Sequence, residues 1–167
     1  MNTQPLLGQM SHLSIDEKAT NAETLVHIHN VNQLLHQVSI NLLRRAENHD
    51  KTKLGGMELS TFVEYTPKLK TMEYNSDEYK ECLKNMAPAL DNHYKNNSHH
   101  PEHFENGIDG MSLLDILEMV IDWKAATLRT KNGDILKSLE IQKERFNISD
   151  QLYDIILNTI NELELNK

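Results

Sequence analysis

Glu47-Asn48-His49-Asp50-Lys51-Thr52-Lys53-Leu54, followed by Gly55-Gly56, is the stretch on which the reading of this chain turns. A helical pattern runs into it, and the glycine pair breaks the chain after it. Adjacent imidazole and carboxylate groups at a helix end can both reach one metal ion. Asp50 has two carboxylate oxygens, so it can also bridge to a second ion. Taken alone, a His-Asp pair is equally the polar end of a helix, with the imidazole near the C-terminal dipole. Its surroundings give it weight: His29 upstream, His93, His99 and His100 downstream, and Asp122 on a later helical stretch.

Upstream, Leu25, Ile28, Leu35, Val38 and Leu42 recur at spacings of three, four and seven. That period predicts a helix over 22–46. Ser14 and Glu17 have capping-box spacing, so the helix starts there or restarts near Thr20-Asn21. His29, four residues after Leu25, falls at the edge of the apolar stripe and is predicted to face the interior. Residues 1–13, with Pro5 and Gly8, read as a loosely ordered lead-in.

Downstream, a short helix over 58–65 is predicted to end at Thr66-Pro67. The next starts at Ser76-Asp77-Glu78 and carries Tyr79, Leu83, Met86, Leu90 and Tyr94 on one face, with Pro88 expected to kink or divide it. Residues 96–103 are a loop by composition. Ser112 as N-cap and Asp115 in the first turn open a helix to about residue 130. Asp134 caps a helix over 135–146, and the C-terminal segment 147–167 holds an amphipathic helix over 151–164. No stretch alternates with period two. The fold class is therefore all-α, six or seven helices in a single domain spanning 1–167.

Composition narrows the function. The formal charge of −8 argues against stable nucleic-acid binding and against an anionic membrane surface. It leaves room for a small phosphorylated substrate, because bound cations reverse the local field. Cys82 is the sole cysteine, so no intrachain disulfide forms. The chain reads as cytoplasmic, with Cys82 structural. No apolar run approaches the roughly 18 residues of a membrane span, and the N-terminus lacks the pattern of a signal peptide. Nine histidines are the compositional oddity.

Imidazole and carboxylate donors suit Mn, Fe, Co, Ni or Zn, with Mg possible where oxygen ligands dominate. Nothing has the short ligand spacing of a zinc finger or a zincin. Asp115, Glu118 and Asp122 share one helix face, which could be solvated. Asp122 sits between Val120-Ile121 and Trp123, which favours partial burial. Glu118 could instead be the inward acid, or a partner that orients a ligand histidine. Of the neighbours His99 and His100, one could be a ligand and the other a phosphate contact or acid. Tyr94 and Trp123 could stack on a nucleobase or serve as packing. The C-terminal helix could be a homo-oligomer seam or core.

An inward His29, the His49-Asp50 pair about twenty residues on, and Asp122 on a later helix resemble the HD-domain superfamily, all-α metal-dependent enzymes that are mostly phosphohydrolases. Lys53 matches a lysine that several HD families place three residues after the Asp. The run His99-His100-Pro101-Glu102-His103, with Gly110-Met111 and the segment from Glu118 to Trp123, is similar to an HD-like family of phage and bacterial genomes. The resemblance implies an HD-domain-like bundle holding one to three divalent transition-metal ions. It implies His29, His49, Asp50 and Asp122 around the first ion. His93 and one of His99 or His100 would complete a second ion bridged by Asp50. A metal-bound water would be the nucleophile, and Lys53 would stabilise a phosphoryl oxygen. The implied substrate is a nucleotide, most simply a nucleoside 5'-monophosphate. The competing readings are an HD-type di-iron oxygenase and a non-catalytic accessory or binding protein with a structural metal site.

Overall fold

The structure, a computed structural model, describes residues 12–69, 71–72, 76–129 and 132–167. Residues 1–11 of the predicted lead-in, and 70 and 73–75 of the loop after the second helix, lie outside them. The described residues form six α-helices and no strand, the all-α class that the sequence predicts. These are α1 (Ile15–Asn48), α2 (Gly56–Leu69), α3 (Asp77–Asn96), α4 (Leu113–Thr127), α5 (Ile135–Arg145) and α6 (Asp150–Glu162). Short 3-10 turns lie at Lys51–Leu54, Pro101–His103 and Gly107–Gly110. No described helix is long and apolar enough to cross a membrane.

The chain divides into two compact units, Met1–Arg45 and Ala46–Lys167, with the boundary inside α1. In the first, α1 begins at the earlier of the two predicted starts. Glu17 N–H donates to Ser14 Oγ at 3.2 Å, and Ser14 N–H donates to Glu17 Oε2 at 2.7 Å. This reciprocal pair satisfies two of the donors a helix leaves open at its start. α1 buries none of its residues. His29, predicted to face the interior, is exposed. The physical reason is that α1 is the single α-helix among the described residues of its unit, so within them its stripe has no second element to pack on.

In the second unit, the core lies among α4, α5, α6 and the Gly107–Gly110 turn. Met119, Val120, Ile135, Leu139, Ile156 and Ile160 are buried there, joined by Ile108, Trp123 and Ile148. Two of the caps that position these helices, at Ser112 and Asp134, are those the sequence predicts. Ser112 and Asp115 form a capping box, Asp134 accepts from the N–H groups of Leu136 and Lys137, and Ser149 accepts from Leu152 N–H. Trp123 belongs to this core at 9% exposure, its ring parallel to Phe146 at 6.4 Å. That placement corrects the expectation that it could stack on a base.

α2 and α3 pack on each other and on the Lys51–Leu54 turn. Both prolines are tolerated where a break was predicted. α2 runs through Thr66-Pro67 to Leu69, because a proline in the last turn removes few helix bonds. α3 runs unbroken past Pro88, and its buried face of Cys82, Met86, Ala89 and His93 spans the proline on both sides. Packing along that face holds the two halves as one element, and Cys82 is the buried structural thiol that composition predicts.

Candidate metal centre

α1 ends at Asn48, and the chain leaves it through Asp50 in the left-handed region, φ 56°. Helices usually end this way with glycine, since a Cβ is disfavoured there. An aspartate at this point brings its carboxylate inward beside His49. The 3-10 turn that follows carries Thr52 and Lys53 back toward it. Lys53 Nζ stands 2.5 Å from Asp50 Oδ2.

The histidine loop arrives from the other side. His93 is on the buried face of α3, and Ser98 Oγ donates to Asp115 Oδ1 at 2.6 Å. That bond ties the loop carrying His99 and His100 to the start of α4. α4 then presents Glu118 and Asp122 one turn apart.

Asp50, His93, His99 and His100 each bring a ligand atom to within 4.8 Å of one another, and His49, His99 and Asp122 do the same. Asp50 Oδ1 lies 3.3 Å from His93 Nε2 and 3.4 Å from His99 Nε2. Asp50 Oδ2 lies 3.5 Å from His49 Nε2, which is also 3.5 Å from Asp122 Oδ1. The two oxygens of Asp50 thus face different groups. His93 and His99 are each 2% exposed. Asp50 Oδ1 and His99 Nε2 are buried and, among the described residues, have no hydrogen-bond partner beyond their own 3.4 Å approach.

A set of polar partners surrounds these atoms. Glu118 Oε1 lies 2.8 Å from His49 Nδ1 and 3.2 Å from His99 Nδ1. This is one of the two inward roles that the sequence left open for it. Asp115, on the same helix face, is buried and serves the cap and Ser98. Glu58, 1% exposed on α2, takes His93 Nδ1 at 3.0 Å, Asn92 Nδ2 at 2.7 Å and the Thr52 hydroxyl at 2.9 Å. Glu58, Thr52 and Asn97 were not legible as site residues. Glu58 reaches Asn92 and His93 across 34 and 35 residues of sequence, and Asn97 reaches Thr52 across 45, contacts that no local spacing marks.

The carboxylates of Asp50, Glu58, Glu118 and Asp122 all lie at the cluster, with the Lys53 ammonium on Asp50. Burial pushes the Asp50 carboxyl up, but the His99 ring and the Lys53 ammonium outweigh it and hold it well below the usual carboxylate range. Burial, then the charges of His99, His93 and Lys53, push the His100 imidazole down to about 3. Burial and Lys53 likewise lower His93. Both rings are neutral near pH 7, the form in which imidazole ligates a metal.

One family matches residues 16–162, nearly the whole chain. The chain belongs to DUF5662, a family of unknown function. No curated protein and no solved structure matches the chain. Membership of DUF5662 assigns no activity, so the chemistry rests on the residues brought together.

Of the predicted ligands, His49, Asp50, His93, His99, His100 and Asp122 converge in this DUF5662 chain. His29 belongs to the first unit and is in neither ligand group. His103 is exposed and donates from Nδ1 to the Tyr94 carbonyl at 2.8 Å. Tyr94 is half-buried with its ring 5.1 Å from that of His100. Burial, then the Glu102 charge, raise its phenol. It lies at the edge of the cluster.

Proposed function

We propose that this chain is a divalent-metal-dependent phosphohydrolase. It cleaves the phosphate ester of a small substrate, most simply a nucleoside 5'-monophosphate. The observation that carries the metal half is the pair of buried atoms without a partner, Asp50 Oδ1 and His99 Nε2. Burying two such groups unsatisfied costs about 1–3 kcal/mol each, and a shared cation removes the penalty. The mixed nitrogen and oxygen donors suit Mn, Fe, Co, Ni or Zn better than Mg, which takes oxygen ligands.

A bound divalent ion supplies charge neutralisation and an activated water. The chain's own residues do the rest. Asp50 offers one oxygen to His93 and His99 and the other to His49, an arrangement able to serve two ions. Lys53, partly exposed beside Asp50, can take a phosphoryl oxygen and the charge that develops on it. The all-α frame, His49-Asp50 at a helix end and Asp122 on a later helix support an HD-like reading. Exposed His29 lends it nothing, and the nucleotide comes from that analogy alone.

Two measurements test the reading. Elemental analysis of protein purified without chelator should find transition metal, and His49→Ala should lose it. Unchanged metal content in that variant would refute the metal half. Phosphate release from a panel of nucleoside monophosphates with Mn, Fe, Co, Ni or Mg tests the other half, and no release from any of them would sink it. Two irons in the isolated protein, with substrate-dependent oxygen uptake, would move the assignment to oxygenase chemistry.

A further inference from the structure

α1 is the longest described helix, 34 residues or about 51 Å, and it buries none of them. A helix takes its stability in water mainly from packing an apolar face. The apolar side chains of α1 are not scattered. Ile28, Val31, Leu35, Val38 and Leu42 follow one another at spacings of three, four, three and four, the alternation of a coiled-coil seam. The first four are between 40% and 60% exposed, and Leu42 is half-buried. Leu25 and Leu34, both more than half exposed, flank the seam on either side. Val26, Ile40 and Leu43 fall outside it. An exposed apolar strip of this kind marks a contact surface.

The seam is complementary to itself, because its pattern is palindromic about Gln33. With two copies antiparallel and their Gln33 residues level, Ile28 faces the second copy's Val38, and Val31 faces the second copy's Leu35. Each layer then joins one valine to one larger side chain, so the four central layers have nearly equal bulk. Leu34 meets the second copy's Leu34 at the flank. Farther out, Thr24 faces Leu42 and Asn21 faces Arg45. One two-fold axis satisfies both helices with the same residues.

The charges agree with this direction. The start of α1 carries Asp16, Glu17 and Glu23 against Lys18, and its end carries Arg44 and Arg45 against Glu47. Antiparallel pairing brings the acidic end of one helix to the basic end of the other. Parallel pairing would set Arg45 on Arg45 and Glu17 on Glu17 at seam positions, where like charges repel. The formal charge of −8 disfavours an anionic membrane as the occupant.

We infer that α1 is an interaction surface for a second copy of this chain: two α1 helices pair antiparallel through Ile28, Val31, Leu35 and Val38, in the register that sets Val31 against Leu35. The seam lies wholly within the first unit, Met1–Arg45, so the pairing stands apart from the metal-dependent reading above.

Sedimentation equilibrium on the full chain tests it. The expected species is a dimer of two 19.3 kDa chains, and a monomer at about 100 µM overturns the inference, since a micromolar dimer is largely formed there. Leu35→Glu changes a side chain exposed within its own chain, so the near-UV signal of buried Trp123 should persist while dimer affinity falls about 100-fold or more. Val26→Glu, outside the seam, should stay dimeric. A dimer that survives Leu35→Glu and Val38→Glu together overturns the seam. Cross-linking reads the direction. In a Cys82→Ala background, Val31→Cys and Leu35→Cys proteins should form disulfide dimers chiefly when mixed and allowed to exchange subunits. Parallel pairing would link each variant to itself, and efficient self-linking overturns the antiparallel register. A monomer that dimerises only after residues 1–11 are deleted means that the chain's own N-terminus covers the strip, and overturns the inference as well.

Discussion

Ser98 Oγ donates to Asp115 Oδ1 at 2.6 Å, across seventeen residues, and so couples the histidine loop to the first turn of α4. Asp115 is 6% exposed and also closes the capping box with Ser112. One carboxylate therefore stabilises a helix start and fixes the approach of His99 and His100. Asp115→Ala should cost about 1–3 kcal/mol, combining a lost cap with the loss of the half-buried Ser98 hydrogen bond. Urea unfolding of the metal-free protein measures it. Amide exchange around residues 98–100 should rise more than in α5 or α6, and uniform loosening would contradict the coupling.

Lys53 and Asp50 form an ion pair at the partly exposed edge of the cluster, with the Lys53 ammonium 5.7 Å from the Phe62 ring. If Lys53 serves phosphate rather than metal, Lys53→Met keeps the metal and loses phosphoryl stabilisation. The expected fall in kcat/KM for a phosphomonoester is about 100- to 1,000-fold, with metal content unchanged. Loss of metal in that variant would instead make Lys53 a support for Asp50.

The metal-free protein should be acid-sensitive in a defined window. His100 is held down to about 3 and His93 is lowered too, against 6.5 for a free imidazole. Between those limits the unfolded chain binds protons that the folded chain refuses. Stability is therefore present above about 6.5 and lost as pH falls. Asp50, also lowered, adds a loss in the same direction below its unfolded value near 3.9. Unfolding free energy should fall by up to about 1.4 kcal/mol per pH unit per histidine below pH 6.5. His100→Gln should flatten the slope, and a flat wild-type profile from pH 6.5 to 4 would contradict the burial described here.

Much of this arrangement could be read from local sequence, because caps and apolar stripes are local. Ser14 with Glu17, Ser112 with Asp115, and Asp134 each mark a helix start within four residues. The His-Asp turn was legible because both groups sit at one helix end. Glu58 was not: an acid near the start of a helix normally answers the dipole, and only folding brings His93 to it. Pro67 and Pro88 misled for a related reason, since a proline's cost depends on its place in the helix and on packing that the sequence does not display. Trp123 has the same ambiguity, resolved by Phe146. Trp123→Ala should cost about 3–5 kcal/mol by cavity formation. Trp123→Phe should leave the KM for any nucleotide within about twofold, whereas a tenfold rise would return the ring to the binding surface.

Asp50 occupies a backbone position that suits glycine. At φ 56° it is a non-glycine residue in the left-handed region, and its buried Oδ1 has no hydrogen-bond partner. Conformation and desolvation both act against it in the metal-free fold, and only Lys53 and the neighbouring imidazoles compensate. Strained residues of this kind persist where the side chain is needed. Asp50→Gly should therefore be the more stable of two metal-free variants, with Asp50→Ala, which keeps the Cβ, about 1 kcal/mol less stable. Both variants should lose the metal and its thermal stabilisation. For wild type, that stabilisation is about 2.7 kcal/mol with free metal at 100 times Kd. Paired melts with and without Co2+ separate the two effects. A large loss of metal-free stability in Asp50→Gly would mean that Asp50 holds the fold, and the case for it as a strained ligand would fall.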